Sequence, residues 1–269
     1  MPAINLARLK IQAVRLSEKF NEPEAFMRDL NEILDFYNNR TIRATQIVQR
    51  FSLPTYRTPI PVLRQIQAEL EPLAETRPIE AIALTNALWN AGSLEARLLA
   101  ARLLGNIAPA QAISALTRLP DWLAQSTDKQ IRSALLTDAL TRLRRENPET
   151  LFVLLENWLK SPRNSLQVWG LQALIPVLTD PNFENLPAVF RILKPAVRSA
   201  GPVTQQELQA CFATLGQVSL TETLAFLREI IGDSPSPLML RTFHRILAGL
   251  PLDLRSGLQE MLRNHGSQL

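Results

Sequence analysis

Cysteine and histidine are almost missing from this sequence: its 269 residues hold one cysteine, Cys211, and two histidines, His244 and His265. That scarcity excludes an internal disulfide and leaves too few thiolate and imidazole ligands for the usual structural zinc sites. Cys211 has Leu208, Phe212 and Leu215 around it at helical spacing, which reads as a core position on a helix and not as a reactive thiol. The sequence has no Gly-x-Ser-x-Gly elbow, no phosphate-cradling glycine loop and no His-Glu-x-x-His helix, so it implies neither cofactor nor metal. Long apolar runs are missing as well. Arg, Glu, Gln or Asn interrupts every apolar stretch within a few residues, which is too short for a helix that crosses a bilayer. Met1 to Phe20 mixes Arg8, Lys10, Arg15, Glu18 and Lys19 among its apolar residues, unlike a signal peptide, and the expected location is the cytoplasm. Asn-Gly and Asp-Gly hairpin signals are absent and no period-2 alternation is sustained, which argues against β-structure.

What is present suits a folded helical chain. Hydrophobic residues make up 46% of the sequence, enough for a sizeable core. The net charge is +4 and is carried mostly by arginine, an excess equally compatible with an acidic or nucleic-acid partner and with an ordinary solvated surface.

The strongest signal is self-similarity. Trp89, Trp122 and Trp158 each stand three or four residues before a serine (Ser93, Ser126, Ser161), and each serine precedes a helical run. The tryptophans are 33 and 36 residues apart, the length of a helical hairpin. Within a period the apolar residues follow helical spacing, as in Ile131, Leu135, Leu136, Ala139, Leu140 and Leu143. Ser93, Ser126 and Ser161 are candidate N-caps, and Pro109, Pro148 and Pro162 suit first helical turns.

The predicted fold is therefore all-α, an α-solenoid of HEAT-like two-helix repeats forming one domain over residues 1–269. Residues 1–61 make an N-terminal helical cap and a loop carrying Pro54, Pro59 and Pro61, and residues 62–264 make the repeats. The hairpins pair helices over 62–74 with 79–90, 94–107 with 110–124, 127–145 with 148–160, 165–178 with 183–199, 204–217 with 221–231, and 238–250 with 252–263. Pro176, Pro187 and Pro195 fall inside otherwise helical patterns, where kinks or shortened helices are expected.

The Trp-x-x-x-Ser joint, followed by the run from Ser93 to Gly105, resembles the HEAT-like repeats of the DNA alkylation repair (AlkD-type) glycosylase family over about Val62 to Arg263. The resemblance implies a concave face with an aromatic-lined cleft, a catalytic aspartate and a nearby arginine. The best counterpart of the family's aspartate motif is Asp128 to Arg132, which sets Asp128 at the tryptophan position and Arg132 at the carboxylate position. Where the family has a Trp-x-Arg-Arg motif, this chain reads Leu166, Gln167, Val168 and Trp169. In that register the catalytic set is absent, and Asp128 or Asp121 could supply a carboxylate only if the register slips. An arginine in the carboxylate's place opposes the positive charge that develops on the sugar.

These observations favour a non-catalytic scaffold that binds a protein or nucleic acid on its concave face. The alternative is an AlkD-like DNA glycosylase or a damaged-DNA-binding protein. Trp89, Trp122 and Trp158 read best as wedges between repeats, with a stacking ladder as the second reading. Trp169 stands outside that series and is either an exposed aromatic or core. Arg191, Lys194 and Arg198 form a basic stripe at helical spacing that suits phosphates or plain solvent, and His244 lies between Arg241 and Arg245 as a surface or groove residue.

Overall fold

A computed structural model describes residues 5–38, 53–232 and 237–259, apart from 249, 253 and 257. Helix takes 78% of the described residues, and no strand occurs among them. The chain divides into two compact units, Met1–Asn147 and Pro148–Leu269.

The first unit holds α1 (Leu6–Ser17), α2 (Pro23–Phe36), α3 (Ile60–Thr76), α4 (Pro78–Asn90), α5 (Leu94–Asn106), α6 (Pro109–Leu116), α7 (Leu119–Gln125), α8 (Lys129–Thr137) and α9 (Thr141–Glu146). Two layers result. Helices α1, α3, α5 and α8 pack side by side in sequence, and α2, α4 and α6 form the other layer. The second unit holds α10 (Pro148–Leu159), α11 (Asn164–Leu178), α12 (Leu186–Arg198), α13 (Gln205–Val218), α14 (Leu220–Gly232) and α15 (Pro237–Ala248). Its layers are α11, α13 and α15 against α10, α12 and α14. Each helix carries an apolar stripe that only a neighbour can cover, so hairpins stack and share one core within a unit.

All three tryptophans of the series are buried, and two of them stack on each other. Trp89, Trp122 and Trp158 are 3%, 5% and 4% exposed. Trp89 and Trp122 stack with ring centroids 4.4 Å apart and planes 8° from parallel, and Trp89 Nε1–H donates to Gln125 Oε1 at 3.3 Å. Cys211 is fully buried, its thiol donates to the Leu171 carbonyl at 3.3 Å, and burial pushes its pKa up to about 12.

Several expected boundaries shift for local reasons. The helix expected over 110–124 is two helices, because Pro120 lies in the first turn of α7 and cannot donate back into α6. The helix expected over 127–145 also breaks, between Thr137 and Thr141. There the Asp138 and Ala139 amides both bond to Ala134 O, widening the turn where the backbone presses against Gly105. A Cβ on Gly105 would lie 1.8 Å from the Asp138 carbonyl oxygen, so glycine alone permits this approach of α5.

Ser93 caps α5 by accepting from the Ala96 amide at 3.3 Å, but Ser126 and Ser161 are not N-caps. Ser126 closes α7 and donates to Trp122 O at 2.7 Å, while Asp128 caps α8. Pro162 precedes α11 and takes no part in its first turn. Pro187 opens α12, whereas Pro176 and Pro195 sit near the ends of helices that continue through them. The closing part of the hairpin expected over 252–263, and His265, lie outside the described residues.

Candidate nucleic-acid interface

The two candidate carboxylates both serve helix starts. Asp128 is partly exposed and its Oδ1 accepts from the Gln130 amide at 2.7 Å, which satisfies an orphan donor of α8. Asp121 is exposed in the first turn of α7, where a negative charge complements the helix dipole.

Arg132 has a structural partner that repeats along the chain. The N-caps Pro59, Ser93, Asp128 and Arg163 recur at spacings of 34, 35 and 35 residues. Four residues after the last three caps stand Arg97, Arg132 and Gln167. Arg97 Nε–H donates to Trp89 O at 3.4 Å, Arg132 to Thr127 O at 3.4 Å, and Gln167 Nε2–H to Ser161 O at 2.8 Å. One long donor per hairpin thus satisfies a carbonyl of the preceding joint. Arg97 also lies over the Trp89 ring, 4.5 Å from its centroid, and burial lowers its pKa from the usual arginine range.

Trp169 is 8% exposed and packs into the second unit, so it offers no open aromatic face. The basic stripe lies on α12 but is ion-paired. Arg191 reaches Glu156 on α10 at 3.5 Å and Lys194 reaches Glu229 on α14 at 2.5 Å. Glu156 is held below the usual carboxylate range, first by its hydrogen bond from Lys160 and then by the charges of Lys160 and Arg191. His244 is exposed on α15 between exposed Arg241 and Arg245. The cations without a side-chain partner among the described residues include Lys129, at the start of α8, and Arg163, at the start of α11; both are exposed.

One feature of the first unit was not visible as a motif. A polar groove of about 280 Å³ is lined by Arg64 and Glu71 of α3, Arg102 and Asn106 of α5, and Asp138 and Thr141 at the α8–α9 break. Arg102 Nε–H donates to Asp138 Oδ2 at 3.3 Å. Behind it, Arg142 donates to Asn106 O at 3.0 Å and pairs with Glu146 and Glu75. The available signal was spacing: Arg102 and Asp138, and Asn106 and Arg142, are each 36 residues apart, one repeat period.

Among the described residues no helix is long and apolar enough to cross a membrane, and no three His, Cys, Asp or Glu side chains are grouped to hold a metal ion. The class these features define is an all-helical protein of stacked hairpins with basic residues at several helix starts. The chain belongs to the DNA alkylation repair enzyme family, whose sequence model matches residues 26–242. No curated protein and no solved structure matches it. The family turns the functional reading away from a general binding scaffold and toward the DNA-repair alternative.

Proposed function

We propose that this chain binds alkylated duplex DNA as part of its repair, on HEAT-like two-helix repeats, and that it does not itself excise the base through a carboxylate at the register of residue 132. The family match over residues 26–242 carries the first half of this reading. The second half is supported by Arg132, which stands where the resemblance calls for an acid and is tied to the Thr127 carbonyl in the same way as Arg97 and Gln167 are tied to theirs. A cation so placed braces a joint, and it would oppose charge development on a departing nucleotide. Lys129 and Arg163 support contact with phosphates: both are exposed cations at helix starts, and neither has a side-chain partner among the described residues.

The test is fluorescence anisotropy with duplexes that differ only in one alkylated base, run beside an assay for released base. Tighter binding of the alkylated duplex without base release is expected. Equal affinity for both duplexes would sink the damage-binding reading. Robust excision that disappears in Asp128→Asn or Asp121→Asn would instead make the chain a glycosylase.

A further inference from the structure

Helix α1 ends its layer. Within that layer α3 lies between α1 and α5, and α5 between α3 and α8, whereas α1 has α3 on one side alone. It packs inward through Leu9, Ala13 and Leu16, which are buried. Opposite that stripe stand Ala7, Ile11, Val14 and Glu18, at i, i+4, i+7 and i+11, the spacing of a coiled-coil seam. All four are exposed, Ile11 by 55% and Val14 by 38%. Exposed Leu6 precedes the seam, and exposed Phe36 of α2 widens the apolar surface under Arg8, whose guanidinium lies 4.4 Å from the ring centroid. A terminal helix of a stacked array normally turns a polar face outward, so an apolar stripe in this position calls for a partner.

The charges beside the stripe select that partner. Lys10 stands along one edge of the seam and Arg8 and Arg15 along the other, all three exposed. The helix itself carries no acidic residue, and Glu18, its C-cap, closes the seam. Residues flanking a helical seam decide what pairs with it. A second copy of this chain would set the same cations against one another in either orientation, which opposes self-pairing. Duplex DNA would neutralise the cations but leave Ile11, Val14 and Phe36 without an apolar counterpart. Helices that lie in a membrane surface bury Trp, Phe and Leu, whereas a seam of Ala, Ile and Val is narrow and suits interdigitation with one other helix. An amphipathic helix with carboxylates on both sides of its apolar stripe satisfies the seam and its flanks together.

We infer that α1 is a docking site for an acidic amphipathic helix of a partner protein, with Ala7, Ile11 and Val14 packing on its apolar stripe and Arg8, Lys10 and Arg15 meeting its carboxylates. The site uses none of the residues assigned to DNA, so it does not depend on the repair reading.

The test is fluorescence anisotropy of the full chain with a labelled synthetic peptide about three heptads long, with Leu on its seam and Glu on its flanks. Like-charge repulsion keeps such a peptide from pairing with itself, and a second peptide with Lys on its flanks is the control. The acidic peptide should bind saturably and more weakly as salt rises, and the basic peptide should not bind. Ile11→Asp should abolish binding. Lys10→Glu with Arg15→Glu should weaken the acidic peptide roughly tenfold or more and create binding of the basic one, a gain that an unfolded variant could not show. No saturable binding, equal binding of both peptides, or no effect of either variant would each overturn the assignment. So would two other outcomes: anionic vesicles or duplex DNA displacing the acidic peptide through α1, or a dimer of the chain that Ile11→Asp dissociates.

Discussion

Gly105 shows how one missing Cβ shapes the first unit. A methyl group there would meet the Asp138 carbonyl oxygen at 1.8 Å, a backbone atom that cannot rotate away. Gly105→Ala should therefore destabilise the chain by about 1–3 kcal/mol or more, since α5 and the α8–α9 break must separate. Gly201→Ala, with nothing within 4 Å of the added methyl, should stay within about 0.5 kcal/mol of the parent. Chemical denaturation of the two variants measures the contrast, and equal stabilities would show that the break yields. Cys211 gives a second residue-scale expectation. Its thiol is buried and held protonated up to about 12, so a thiol-reactive disulfide should leave the native chain unmodified at about pH 8 and label the denatured one. Because the folded pKa lies above the unfolded value, this thiol's contribution to stability is complete below the ordinary thiol pKa. It is lost as pH rises from there toward about 12. Rapid labelling of the native chain would mean that α13 opens readily.

At the scale of elements, the middle hairpins were legible because three joints repeat the same local chemistry. At Trp89, Trp122 and Trp158 a tryptophan stands near the end of one helix and a polar residue starts the next, and the apolar stripe keeps its period through both. The breaks were less legible. Ala139, Leu140 and Leu143 continue the helical pattern of Ile131 and Leu135, so the sequence offers no sign that the backbone opens at Asp138; the cause is Gly105 on another hairpin, about one period away. Ser126 and Ser161 satisfy a composition rule for N-caps, yet Asp128 and Arg163 hold the geometry, because the joints run two residues longer than the serines suggest. Trp89→Ala, Trp122→Ala and Trp158→Ala should each cost about 3–5 kcal/mol in thermal or denaturant unfolding. Since Trp89 and Trp122 stack at 4.4 Å, their double variant should lose less than the two single losses added together. Additive losses would mean that the stack contributes only area.

For the molecule as a whole, charge patterning in the sequence pointed to α12, and the structure redirects attention from there. The groove leaves no sequence motif because its polar residues come from separate helices, with no two of its charged members adjacent in sequence. The stripe was conspicuous because Arg191, Lys194 and Arg198 share one helix face, but a stripe read from one helix omits the carboxylates on its neighbours. Glu156 and Glu229 lie against it, so a phosphate arriving at Arg191 or Lys194 must displace a carboxylate already in place. Such exposed pairs are individually weak and can be broken, yet each one lowers the net counterion release that a phosphate contact would give. Three free cations would contribute about 2.7 to the log–log salt slope of DNA binding, at about 0.9 each. Changing Arg191, Lys194 and Arg198 together to Gln should therefore alter the slope by less than about 1. Lys129 and Arg163 have no such partners among the described residues, and Lys129→Gln and Arg163→Gln should each remove about 0.9. Anisotropy across a salt series measures both effects on the same duplex. A loss near 2.7 in the triple variant, with none in the other two, would place the DNA on α12 and overturn the assignment of phosphate contacts to the starts of α8 and α11.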